Sequence, residues 1–131
     1  MEQRKVNPWT WQDQYGFSQA IEVTGAQRVL YCAGQTSTVS DGATLHGDDM
    51  GAQCGQALDN LETVLEHAGM TLAHVVRLDY YVTDVDRFFA EGAPVAGARL
   101  AGVTQPAGTL LGVSRLAFPD LLIEIEATAV A

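Results

Sequence analysis

Cysteine, basic residues and long apolar runs are all scarce in this chain, and each scarcity excludes something. Only two cysteines occur, Cys32 and Cys54. They form no Cys-x-x-Cys, and His46, His67 and His74 do not stand at zinc-binding spacing around them. Cys32 lies in an apolar strand-like run and Cys54 on the apolar face of a helix, so both are expected to be buried thiols. Seven basic residues face sixteen acidic ones, for a formal charge of −9. Arg4, Lys5, Arg28, Arg77, Arg87, Arg99 and Arg115 are scattered, whereas a phosphate backbone needs a clustered basic surface, so no nucleic-acid partner is expected. No apolar stretch approaches the roughly 18 residues of a membrane span. The opening MEQRKVNPWTWQDQYGF has no apolar signal-peptide core. The chain is therefore expected in the cytoplasm, with no membrane partner. No Gly-x-Gly-x-x-Gly follows a strand and no P-loop occurs, so no cofactor and no metal is expected.

What is present is enough apolar material, 47% of 131 residues, to build the core of one domain spanning 1–131. The first 16 residues are polar and aromatic and read as a loop or edge strand. Phe17 to Val23 and Arg28 to Ala33 are β-type runs around the turn Thr24-Gly25-Ala26-Gln27, the pattern of a hairpin. Gly34 to Asp49 reads as loop, with Asp48 or Asp49 available as a cap. Met50, Cys54, Ala57, Leu58, Leu61, Val64, Leu65 and Ala68 recur at helical steps and make one face, closed by Gly69. Leu72 to Val82 is a strand. Asp84 or Asp86 can cap a second helix through Phe88, Phe89, Val95, Ala98 and Leu100, in which Gly92 and Pro94 predict a break. Thr109 to Leu116 and Leu121 to Val130 are the last strands.

The order β-β-α-β-α-β-β implies a two-layer α+β domain with both helices on one face of a mixed sheet. Leu121, Ile123, Ile125 and Ala127 point to one side of the final strand. Leu122 and Val130 point to the other, with Glu124 and Glu126. Two helices cannot cover both faces, which points to an oligomer.

Several short stretches then fall in a specific order. They are Phe17-Ser18-Gln19-Ala20, Ala33-Gly34-Gln35, the helix bearing Gln53, Asn60 and Leu61, Ala68-Gly69-Met70, and Val75-Val76-Arg77 running to Thr83-Asp84. Gln105-Pro106-Ala107 and Glu124-Ile125-Glu126-Ala127 complete the set. With them the chain resembles the RidA/YjgF family of enamine and imine deaminases over nearly its whole length. The resemblance implies a chorismate-mutase-like homotrimer around a central barrel, with small-molecule clefts between subunits. It implies hydrolase or deaminase chemistry on an imine or enamine, with Glu124 as the catalytic acid–base that activates water. Phe17, Ala33, Gly34, Gln35, Gly108 and Thr109 are the implied substrate-binding positions.

The family's carboxylate-gripping arginine is absent: the stretch reads Pro106-Ala107-Gly108-Thr109, and Leu110 and Phe17 replace a frequent cysteine and tyrosine. An asparagine of the second helix has no counterpart near Gly92 and Ala93. Losing a bidentate contact of this kind costs on the order of 2–3 kcal/mol, so the expected substrate is an imine or enamine other than a simple 2-imino acid. The alternative is a catalytically silent trimer that binds a ligand or partner. Arg115, seven residues past Gly108, falls on the opposite strand face, whereas Arg99 is long enough to reach a cleft and is the candidate replacement.

Several positions keep two readings. Gly108 and Gly112 either open a roomier pocket or mark a bulge or close backbone approach. Glu124 either shuttles protons or accepts hydrogen bonds at an interface. Trp9, Trp11 and Tyr15 either form a lid or an apolar strap. Gln35 reads as a pocket-wall hydrogen-bonding group and His46 as a solvated loop residue.

Overall fold

A computed structural model describes residues 1–131. Its mixed α+β fold rests on helix α1, Met50–His67. Asp49, not Asp48, caps it by accepting a hydrogen bond from the Ala52 N–H at 3.0 Å. At the other end Gly69 takes φ 70°. The Gly69 and Met70 amides donate to the carbonyls of Glu66 and Leu65, at 2.9 and 2.8 Å, the paired bonds of a Schellman turn that a β-carbon would strain. Arg28 adds a cation there, donating to the Ala68 carbonyl at 2.9 Å. The predicted apolar face is fully buried at Met50, Cys54, Ala57, Leu58, Leu61 and Leu65.

That face lies on the principal sheet, whose strands run β3 (Val29–Tyr31), β7 (Ile123–Val130), β5 (Val75–Val82) and β6 (Leu110–Gly112), with β4 (Gln35–Thr36) also pairing β7. Strand β7 is antiparallel to β3, β4 and β5, while β6 runs parallel to β5. Alternation along β7 sends Ile123, Ile125, Ala127 and Ala129 into the core beneath α1. Glu124, Glu126 and Thr128 go to the other face, as do Arg77, Asp79 and Tyr81 of the partner strand. No helix covers this second face in one chain, and Tyr31 (81% exposed) and Leu111 (49%) stand open on it. No helix is long and apolar enough to cross a membrane.

Three expectations are corrected. The hairpin between Phe17–Val23 and Arg28–Ala33 does not form. Strand β2 (Ala20–Thr24) pairs instead with β1 (Glu2–Val6), in a separate antiparallel ribbon. The chain leaves β2 because the Gln27 and Arg28 amides both donate to the Ala131 carbonyl at 2.8 Å, which delivers β3 to the end of β7. The second helical stretch does not break at Gly92 and Pro94. It runs from α2 (Val85–Arg87) through a π-helical turn (Phe88–Gly92) into α3 (Ala93–Leu100). The Ala93 amide reaches back five residues to the Phe88 carbonyl, and the widened turn relieves the crowding a proline ring causes in α geometry. Finally, the penultimate strand, expected from Thr109 to Leu116, is only three residues long and pairs in parallel with β5.

Candidate functional site

The 310-helical turn Trp11–Tyr15 is carried over one end of the sheet as a strap. Its footing is polar. Gln12 is completely buried and donates to the Trp9 carbonyl at 2.8 Å while accepting from the Gln19 amide group at 3.2 Å. Ser18, also buried, donates from Oγ to the Gln105 carbonyl at 2.6 Å. These bonds pin the strap to the loop before β6 and set Phe17 against Trp11, ring centres 5.6 Å apart at 74°.

Beneath the strap lies a cavity of about 760 Å³, predominantly apolar. Its floor is Leu78 and Tyr80 from β5, its side wall is Phe88 and Phe89 of the π turn with Ala96 and Leu100 of α3, and its far edge is Gln105, Pro106 and Gly108 to Leu110. Tyr80 packs on Phe88 at 5.3 Å, and burial pushes its phenol well above the ordinary value. Helix α1 supplies Cys54 behind Tyr80, its thiol pushed up by burial to about 11. Among the implied binding positions, Phe17, Gly108 and Thr109 line this cavity.

At Gly108 the close-approach reading holds and the open-space reading is corrected. A β-carbon there would sit 1.9 Å from the Leu78 carbonyl oxygen. The surrounding ladder explains the squeeze: Leu78 N–H donates to the Ala107 carbonyl at 2.9 Å and Tyr80 N–H to the Thr109 carbonyl at 2.8 Å. Thr109 N–H donates to the buried Asp79 carboxylate at 2.9 Å. Along this backbone course no side chain fits at position 108, let alone an arginine. Gly112 is no void either, because a β-carbon would stand 3.0 Å from Val85 Cγ2.

No cation replaces the missing one. Arg99 lies outside the cavity lining, its guanidinium held by Glu62 and Asp59 of α1 at 2.7 Å each. These contacts keep its pKa raised despite partial burial. The structure thus places Arg99 as a tie between α3 and α1, not as a substrate ligand. Arg115 donates to the Leu116 and Ala117 carbonyls. Arg77 is spent on Asp79, Arg87 on Asp48 and Glu91, Arg4 on Glu22, and Lys5 on Gln105.

The remaining implied positions gather where β4 meets β7. Glu124 faces Thr36 and Tyr81 across its two neighbouring strands. Its side chain fills the space a β-carbon at Gly34 would need, with Glu124 Cδ 2.6 Å from that point. The Gln35 amide turns back to the Ala33 carbonyl at 3.1 Å. Glu126 accepts the Tyr81 hydroxyl at 3.2 Å. Strand alternation puts Glu124 on the open face of the sheet and the cavity-lining Leu78 and Tyr80 on the helix-covered face. Within one chain, the carboxylate and the cavity therefore do not meet. Gln53 and Asn60 are structural ties: buried Gln53 binds the His46 and Asp120 carbonyls and the Leu122 amide, and Asn60 binds the Thr36 and Thr38 carbonyls.

Sequence reasoning passed over Tyr80, Phe88 and Asp13 as wall and rim residues. The alternation of Leu78, Asp79, Tyr80 and Tyr81 carried a signal for Tyr80. Nothing local announced the other two, because the strap and the π turn meet only in three dimensions.

Comparison with known proteins places the chain in context. The family model described as endoribonuclease L-PSP matches residues 12–131. A RutC family protein of Pyrococcus horikoshii is 34% identical over 113 residues, covering 86% of this chain and 85% of that protein. The 2-iminobutanoate/2-iminopropanoate deaminase of Escherichia coli is 36% identical over 83 residues, 63% of this chain and 64% of that one. Among solved structures, a protein of unknown function in the conserved Rid family of Yersinia pestis superposes with TM-score 0.90 at 41% identity, covering all of both chains.

Proposed function

The chain belongs to the RidA/YjgF family, the one the endoribonuclease L-PSP model describes, and on that premise we propose that it hydrolyses or tautomerises an imine or enamine bearing no carboxylate at the reacting end. The observation that carries this reading is the cavity under the strap, which no cation lines and whose edge at Gly108 admits no side chain. A 2-imino acid, the substrate class in the E. coli relative's name, would bring a carboxylate against a largely apolar lining with no cation to pair it.

Catalysis on this reading needs more than one subunit. It requires a homotrimer, packed through the open sheet faces, in which Glu124 of the partner subunit reaches the cavity mouth of the first. Burying that face would also cover Tyr31 and Leu111. With the imine protonated, the carboxylate takes a proton from water as the oxygen bonds to the imine carbon, giving a neutral carbinolamine. It then gives that proton to nitrogen and takes the hydroxyl proton as the C–N bond breaks, leaving a carbonyl compound and ammonia, which departs as ammonium with that last proton. Ala33, Gly34 and Gln35 sit beside that carboxylate and frame its approach, with Phe17 and Thr109 on the cavity side.

The test is ammonia release above background from two freshly generated imines of equal size, one with a carboxylate and one without. The native protein is expected to accelerate hydrolysis of the second and not the first. Glu124→Gln is expected to lower that rate by about 100-fold. Faster hydrolysis of the 2-imino acid would overturn the reading.

One observation favours a second reading, a ligand-binding trimer without turnover: Glu124 and the cavity lie on opposite faces of the sheet. Saturable binding of the carboxylate-free imine with no ammonia release would select it. Ribonuclease activity, the sense of the family model's description, is disfavoured by the −9 charge and by the lack of a cation to stabilise a phosphorane.

A further inference from the structure

The cavity lining holds one carboxylate, Asp13, and no basic side chain. Asp13 sits on the strap between Trp11 and Tyr15, and its only side-chain partner is the neutral Gln12 amide at 3.3 Å. Around it the rings form a corner rather than a stack. Trp11 meets Tyr15 edge-on at 6.4 Å and 68°, and meets Phe17 edge-on at 5.6 Å and 74°. More than half of the Trp11 and Tyr15 surfaces remain exposed. Aromatic faces beside an unpaired carboxylate attract an organic cation through the ring quadrupole and the negative charge together. They repel an anion for the same reasons.

We infer that the cavity selects an organic cation, an amine or protonated imine on an aromatic or branched apolar body, with its nitrogen at the strap beside Asp13 and its body against Leu78, Tyr80 and Phe88. This rests on the cavity being the substrate site, and it goes further by fixing the charge and orientation of what enters. It also suits the chemistry. A protonated imine is the electrophilic form, and a carboxylate at the rim favours protonation of the bound nitrogen. Water addition and loss of ammonium then leave a neutral carbonyl compound, which the acidic rim no longer holds.

The experiment is a titration of the native protein with three phenethyl compounds that differ in the charge of the head group: phenethylammonium, 2-phenylethanol and 3-phenylpropanoate. Calorimetry gives the affinities, and the fluorescence of Trp9 and Trp11 reports on the strap. The ammonium is expected to bind about tenfold more tightly than the alcohol, and the carboxylate more weakly than either. Asp13 is exposed, so Asp13→Asn is expected to weaken the ammonium about two- to fivefold and to leave the alcohol unchanged. The inference is overturned if the carboxylate binds as well as the ammonium, if none of the three binds, or if Asp13→Asn weakens alcohol and ammonium alike. Cation selectivity without imine turnover would sink the catalytic proposal and leave this one standing. Turnover of neutral imines with no charge preference would do the reverse.

Discussion

Replacing Gly108 by alanine adds one methyl group, and the structure says where it must go. The new carbon would lie 1.9 Å from the Leu78 carbonyl oxygen, about 1 Å inside the 3.0 Å below which β-carbon contacts essentially do not occur. The atom it strikes is backbone in the middle of β5, so a rotamer change cannot relieve the clash. The lead-in to β6 must move away by roughly that amount, which stretches three flanking bonds of 2.8–2.9 Å past hydrogen-bonding range: Leu78 N–H to Ala107, Tyr80 N–H to Thr109, and Thr109 N–H to the Asp79 carboxylate. Two neutral bonds at about 1 kcal/mol each, plus about 1.5–3 kcal/mol for the bond to a buried carboxylate, set the loss. The stiffer unfolded chain returns about 0.4–1 kcal/mol. Gly108→Ala should therefore cost about 3–4 kcal/mol in urea denaturation at fixed protein concentration. Gly97→Ala is the control. Nothing lies within 4 Å of its would-be β-carbon in α3, so it should be neutral or stabilise by up to about 1 kcal/mol. A Gly108→Ala protein within about 1 kcal/mol of native would refute the close-approach argument and reopen this position to side chains.

Three further outcomes are expected. Gln53→Leu strips partners from the His46 and Asp120 carbonyls and the Leu122 amide, so it should cost about 2–4 kcal/mol by denaturant titration despite its added apolar surface. The Cys54 thiol, raised by burial from an ordinary 9 to about 11, binds its proton more tightly when folded than when unfolded. Its contribution is constant below pH 9 and declines by about 1 kcal/mol per unit between 9 and 11, so native and Cys54→Ala stability curves should diverge only in that window. Arg99→Met breaks two partly exposed ion pairs to α1. It should cost about 1 kcal/mol or less and leave ligand affinity unchanged in the same titration, whereas a large affinity loss would return Arg99 to the site.

The sequence disclosed most where the physics is local. Helix α1 could be read from Met50 to Gly69 because every third or fourth side chain meets the same sheet. The alternation Ile123, Ile125, Ala127 likewise named the core face of β7 and left Glu124 on the other. Pairing was less legible. The Thr24–Gln27 turn looks like a hairpin, yet β3 is claimed by β7 through bonds to Ala131, a residue about a hundred positions away. Gly108 was ambiguous for a similar reason: whether a glycine signals room or its absence depends on what approaches it, and that is Leu78, thirty residues earlier. Of the cavity lining, the resemblance supplied Phe17, Gly108 and Thr109. The strap carboxylate Asp13 had no periodicity or motif to betray it.

The π turn at Phe88–Gly92 has a consequence for how this family member can diversify. A π turn holds one residue in excess of α-helical pitch and absorbs it locally, so removing a single residue there would restore regular geometry while the flanking segments keep their faces. The side chains that change would be those of the turn itself, Phe88 and Phe89, which form the cavity wall. The lumen can thus be reshaped by a one-residue deletion, with the sheet, α1 and the strap in place. Homologous chains of differing length through this stretch would then differ first in the shape of molecule they admit.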